Sequence, residues 1–115
     1  MYKVDITKEQ LDKWLVALRS DEYKQSRHML RSTDGGFCCL GLLAYVINPE
    51  NYDDTPNESG GYIYHSSQRS SAYSLAFDWL STGIQDKLTV MNDESKLSFK
   101  EIADWIEANL KPTDA

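Results

Sequence analysis

Arg31-Ser32-Thr33-Asp34-Gly35-Gly36-Phe37-Cys38-Cys39-Leu40-Gly41-Leu42-Leu43 is the stretch on which the fold turns. An Asp-Gly-Gly turn runs into the apolar series Cys39, Leu42, Leu43, Val46 and Ile47, which keeps the i, i+3, i+4, i+7 spacing of one helix face. That spacing predicts a central helix over about residues 38–48, stopped by Pro49, because a proline disfavours helix at the residue before it. Glycines ahead of a helix let the backbone bend sharply and come close to a bound group. The first helical turn leaves N–H groups without partners at its positive dipole end. Just upstream lie Arg19, Lys24, Arg27, His28 and Arg31, the basic cluster of the chain. A helix N-terminus facing arginines is a candidate anion site.

Working outward, Thr7-Lys8-Glu9-Gln10 has the pattern of a capping box. Leu11, Trp14, Leu15 and Leu18 then mark the buried stripe of a helix over about residues 8–19, closed by Ser20-Asp21. Between the two helices, a strand at His28–Ser32 is expected to pair across the Asp34-Gly35 turn with Gly36-Phe37 as a small hairpin. Residues 49–70 read as a long flexible or functional loop, with Tyr62-Ile63-Tyr64-His65 as a β-favouring piece. Ala72, Leu75, Ala76 and Trp79 predict a short helix over about residues 71–80. Thr82-Gly83-Ile84-Gln85 reads as a second capping box, opening a helix that carries Ile84, Leu88 and Met91. Ser98-Phe99-Lys100-Glu101 is a third, opening a final helix with Phe99, Ile102, Ala103, Ile106 and Leu110 on one face, ended by Lys111-Pro112. The expected architecture is an α-rich α+β fold of about five helices with a small β-hairpin, in one compact domain spanning residues 1–115.

Composition narrows the function. At 115 residues the chain suits a single core. Its formal charge of −6 opposes general nucleic-acid binding, which needs basic surface to displace counterions. No apolar run approaches the roughly 18 residues of a membrane span, and the N-terminus lacks an apolar signal core, so a cytoplasmic setting without membrane partners is expected. Two adjacent cysteines seldom have the geometry to bridge each other, which fits reduced thiols. The charge is uneven: no Lys or Arg occurs between Ser32 and Gln68, while Asp34, Glu50, Asp53, Asp54 and Glu58 do. A basic segment beside an acidic middle suggests a local site.

Several chemistries fit parts of the chain. Cys38 or Cys39 at a helix N-terminus would have a lowered thiol pKa and could act as a nucleophile, with His28 or His65 as base. Against that, neighbouring positions let only one of the two cysteines face the core, and that one would be packing. Adjacent cysteines do not reproduce the spacing of a zinc knuckle, and no metal or cofactor is expected. The segment before Glu101 fails the ligand count of a calcium loop. Ser98 to Ile106 resembles the first helix of a helix-turn-helix without a recognition helix after it. The basic cluster could be a solvated face. Alternatively Lys24, Arg27 and Arg31 could grip a phosphate together with the backbone of Gly35 and Gly36, while Tyr62, Tyr64 and Tyr73 offer stacking surface for a base.

The motifs also carry a resemblance. Trp14 to Ser20, Tyr23-Lys24-Gln25, Cys38-Cys39-Leu40-Gly41, Asn92-Asp93 and Ser98-Phe99-Lys100-Glu101-Ile102-Ala103-Asp104 follow one another as in a family of small bacteriophage accessory proteins, mostly without assigned activity. Where that pattern often has glycine after Tyr-Lys-Gln, this chain has Ser26. The resemblance implies an accessory protein of a phage, in the cytoplasm of a bacterial host, that acts against host defence. The expected function is non-catalytic binding and sequestration of a small anionic, nucleotide-derived ligand. A protein–protein inhibitor of a host defence factor, docking through acidic residues 50–58, and a cysteine-dependent hydrolase are the alternatives. Self-association is left open.

Overall fold

The computed structural model describes residues 2–52, 55–56, 61, 65–66, 69–70 and 79–114. Its elements follow in the order β1 (Tyr2–Lys3), α1 (Lys8–Arg19), β2 (Lys24–Gln25), β3 (Gly36–Phe37), α2 (Cys39–Ile47), a 3-10 turn (Pro49–Asn51), β4 (His65–Ser66), β5 (Arg69–Ser70), α3 (Thr82–Asp93), α4 (Phe99–Asn109) and β6 (Leu110–Lys111). The sequence dictates where the helices begin. Thr7 Oγ1 accepts from the Gln10 amide at 3.1 Å while Gln10 Oε1 accepts from the Thr7 amide at 3.0 Å, closing the expected box. Ser98 and Glu101 do the same for α4 at 3.1 and 3.0 Å. Each box satisfies two amides that a helix start would otherwise leave bare.

α2 is the centre of the molecule. Cys39, Leu40, Gly41, Leu42, Leu43 and Ala44 are all buried, as expected of a helix that is apolar all round. It packs between α1 and α3, and α4 closes the ring by packing on α1 and α3. Trp14 is fully buried, and its indole N–H donates to the Cys39 carbonyl at 2.9 Å, which ties α1 to the start of α2. Two parallel ladders flank the bundle: β1 with β6, and β2 with β3, in register Lys24 to Gly36 and Gln25 to Phe37. β4 and β5 pair antiparallel. Among the described residues, no helix is long and apolar enough to cross a membrane.

An α-rich, compact domain is therefore right, and several details differ from expectation. There are four α-helices among the described residues; the fifth, expected over 71–80, lies outside them save for Trp79 and Leu80, which sit in a turn. The hairpin is replaced. Only an isolated antiparallel bridge, Arg31 to Phe37, spans the Asp34-Gly35 turn, and the regular partner of Gly36-Phe37 is the parallel strand Lys24-Gln25. His28 at φ +69° turns the chain inside the segment that would have been the first hairpin strand. The cap of α3 is Ser81, one residue before the expected Thr82, with its hydroxyl accepting from the Ile84 amide at 3.3 Å. α4 ends at Asn109 rather than at Lys111, because Leu110 and Lys111 leave the helix to pair with Tyr2 and Lys3. The loop expected over 49–70 opens with the 3-10 turn and the buried Tyr52, and most of its remainder lies outside the described residues.

Candidate functional site

The glycine turn already holds an anion, and that anion is the protein's own. The Asp34 carboxylate receives the Lys24 ammonium at 2.6 Å, the Ser32 hydroxyl, and the Gly36 amide at 3.2 Å. Lys24 first, then Ser32, hold its pKa down at about 2. Gly35 takes φ +85°, where a side chain would be strained. At Gly36 a Cβ would meet Ser26 Cβ and Ser32 Oγ at 2.9 Å. Lys24, Gly35 and Gly36, expected to cradle a phosphate, thus build an Asp34-centred turn.

The start of α2 is likewise closed from within. Cys38 is its N-cap, with Sγ accepting from the Gly41 amide at 3.3 Å in the role that serine usually plays. Asn92, fully buried, supplies the next cap: its Oδ1 accepts from the Cys39 amide at 3.3 Å and from Gln25 Nε2 at 2.9 Å. Its Nδ2 donates to the Ser26 carbonyl at 2.9 Å and to Asp93 Oδ1 at 2.8 Å. Gln25 Nε2 also donates to the Leu97 carbonyl at 2.8 Å. Gly41 is needed because the Leu30 backbone lies against it, and a Cβ there would sit 1.7 Å from the Leu30 oxygen. Tyr-Lys-Gln, Cys-Cys-Leu-Gly and Asn-Asp therefore meet at one buried polar junction. The helix start at Cys38–Cys39, expected to leave amides open to a ligand, has its Gly41 and Cys39 amides taken by Cys38 Sγ and Asn92 Oδ1.

Both cysteines are buried, where only one was expected to be. Burial pushes the Cys38 thiol up to about 11 and the Cys39 thiol well above its ordinary value. Desolvation of the thiolate outweighs the favourable helix-start amides, so both remain protonated at neutral pH. Cys39 Sγ donates to the Leu88 carbonyl at 3.6 Å. His28, the base expected for a hydrolase, lies beside Asp93 instead: its backbone amide donates to Asp93 Oδ1 at 3.0 Å, and Nδ1 is 3.8 Å from Oδ2. The side chain of His65 lies outside the described residues, as do Tyr62, Tyr64 and Tyr73.

The basic cluster is dispersed. Arg19 pairs with Asp104 at 2.9 Å and Glu107 at 3.3 Å on α4, and these carboxylates raise its pKa further. Arg27 is half-buried, and its Nε makes no hydrogen bond among the described residues. Arg31 is placed differently from the rest. Its guanidinium carbon lies 5.6 Å from the Phe37 ring centroid, 5.4 Å from that of Tyr45 and 5.3 Å from that of Tyr52. Three negative ring faces stabilise one cation and fix where its planar fork sits. The rings support one another: Phe37 and Tyr45 are 4.8 Å apart, Tyr23 meets Phe37 edge-on at 6.0 Å, and the Tyr52 hydroxyl donates to the Gly41 carbonyl at 2.7 Å.

Beside this cluster an open groove of about 890 Å³ runs between α1 and α2. Val16, Ala17, Tyr23, Tyr45 and Val46 give it an apolar lining. Val16 is 67% exposed on the solvent face of α1. Among the described residues, no group of His, Cys, Asp and Glu side chains is placed to hold a metal ion.

A family model, described as a domain of unknown function and designated DUF8296, matches residues 6–78. The chain belongs to that family. No curated protein and no solved structure matches the chain. The matched stretch contains α1, α2, the Arg31 cluster and both walls of the groove, while Asn92 reaches the family segment from α3 beyond it.

Sequence reading missed the aromatic cluster and Asn92. Phe37, Tyr45 and Tyr52 sit in three different local contexts, and no period links them. Asn92 is a polar residue in a helix whose burial is settled by its neighbours. The signal available was negative: an Asn on the same helical face as Leu88 has to find partners if it is buried.

Proposed function

We propose that this DUF8296 chain is a phage-type accessory protein that acts by binding and sequestering a small anionic, nucleotide-derived ligand, and that Arg31 is its anchor. The observation that carries the reading is the guanidinium held at 5.3 to 5.6 Å from three ring centroids. A fork fixed by stacking loses little freedom on meeting a phosphate, and bidentate contact is both directional and strong. The half-buried Arg27 adds a second cation in the same segment. Catalysis by cysteine is disfavoured, because neither thiol is ionised at neutral pH or paired with a histidine among the described residues. Counter-defence rests on the resemblance of the motifs to bacteriophage proteins.

The test is a thermal-shift screen of the full chain against cyclic nucleotides and nucleoside monophosphates, because a ligand that binds the folded state raises apparent stability by mass action. For a compound that shifts the melt, calorimetry should show Arg31→Met binding about a hundredfold weaker, the equivalent of about 2–3 kcal/mol. Methionine keeps apolar cover on the rings and removes the fork. Lys24→Ala should matter far less, since Lys24 is committed to Asp34. Unchanged binding by Arg31→Met would remove Arg31 from the site.

A second reading, a protein–protein inhibitor of a host factor, is favoured by one observation: the exposed Val16 beside an apolar groove. It takes first place if no nucleotide shifts the melt.

A further inference from the structure

We infer that the groove between α1 and α2 is the second half of the binding site, taking the planar, uncharged part of the ligand against Tyr23 and Tyr45 while the phosphate meets Arg31. The inference rests on the anion-binding reading above and adds to it the place where the nucleoside part of the ligand is held. Tyr45 belongs to both features. It is part of the groove lining, and its ring centroid lies 5.4 Å from the Arg31 guanidinium carbon. Tyr23, also on the groove, meets Tyr45 edge-on with ring centroids 6.2 Å apart. Aromatic surface and cation thus adjoin through a single side chain, the combination that a base joined to a phosphate requires.

Charge assigns the two halves. Lys8 is paired with Asp12 at 3.0 Å and Lys13 with Glu9 at 3.5 Å, so the lysines on the rim are neutralised along their own helix. Glu22, also on the rim, has no ion pair among the described residues. A phosphate inside the groove would meet net negative charge, whereas a neutral base or ribose finds apolar walls and a carboxylate acceptor for its hydroxyl or amine hydrogens. At about 890 Å³, the groove lies within the range of small-molecule sites.

The experiment uses the full chain and three probes: adenosine 5′-monophosphate, adenosine and inorganic pyrophosphate. Val16→Gln places a neutral polar side chain in the groove at an exposed position, where folding should survive; circular dichroism checks that. Calorimetry should show the monophosphate bound about tenfold more weakly by Val16→Gln, the scale of one apolar pocket contact, and pyrophosphate bound equally by parent and variant. Arg31→Met should weaken both. On the unsubstituted protein, excess adenosine should shift the Val16 methyl and Tyr45 ring resonances. If Val16→Gln binds the monophosphate like the parent and adenosine leaves both resonances in place, the groove assignment is overturned while the Arg31 site stands. If Arg31→Met weakens neither phosphate probe, the anion reading itself is overturned. If neither the monophosphate nor pyrophosphate binds the parent and no nucleotide of the screen shifts the melt, both are overturned, and Val16 belongs to a protein-docking surface.

Discussion

Replacing Asn92 by alanine should be among the most damaging single changes in this molecule, although Asn92 touches no candidate ligand group. Four hydrogen bonds of 2.8 to 3.3 Å end on its amide. Two of the partners keep an alternative: Gln25 Nε2 still has the Leu97 carbonyl, and Asp93 Oδ1 still has the His28 amide. The Cys39 amide and the Ser26 carbonyl have no other described partner for these atoms, and Cys39 is fully buried. Each orphaned buried group costs about 1–3 kcal/mol, and the small cavity adds to that. The expected loss is about 3–5 kcal/mol, a large share of the roughly 5–15 kcal/mol that holds a domain folded. In urea, with a slope of about 1.5–2 kcal/mol/M, the midpoint should fall by about 2 M. Gln25→Ala, which removes only a part-buried donor, should shift it by about 0.5 M. A midpoint for Asn92→Ala within about 0.3 M of the parent would refute the claim that this junction holds the start of α2.

Gly41→Ala should cost at least about 3 kcal/mol in thermal or urea unfolding despite the better helix propensity of alanine, because the new Cβ meets Leu30 backbone at 1.7 Å and not a yielding side chain; a stabilised variant would mean that Leu30 moves freely. Iodoacetamide should modify the folded protein slowly, since a thiol at about 11 is ionised to about one part in a thousand at pH 8; rapid stoichiometric labelling of one cysteine would restore the nucleophile reading. The Asp34 carboxyl, held at about 2 by Lys24 and Ser32, contributes stability present above the ordinary carboxylate range and lost as pH falls through its folded value. In Lys24→Ala, carbon-detected NMR titration should find the Asp34 pKa moved up toward its model-compound value of 3.8, and an unmoved pKa would deny the ion pair in solution.

What the sequence determined by itself is local. Thr7 with Gln10 and Ser98 with Glu101 specify helix starts because each cap involves atoms only three residues apart. The Cys39, Leu42, Leu43 spacing located α2, and Pro49 marked its end, for the same reason. The stretch from Arg31 to Leu43 was rightly read as the pivot of the fold, but its chemistry was not legible there. Asp34 fills the glycine turn, and Asn92, 53 positions from Cys39 in sequence, takes the helix-start amide that was expected to await a ligand. The hairpin failed because Gln25, anchored to Asn92 and Leu97, brings β2 alongside β3, a choice between pairings that period-two patterning does not encode. Arg31 was named from sequence as one charge among five. That it alone rests on Phe37, Tyr45 and Tyr52 was decided by packing: rings from a strand, a helix and the turn after it converge only once α2 is buried, and a cation–π contact depends on distances in space rather than on spacing in the chain.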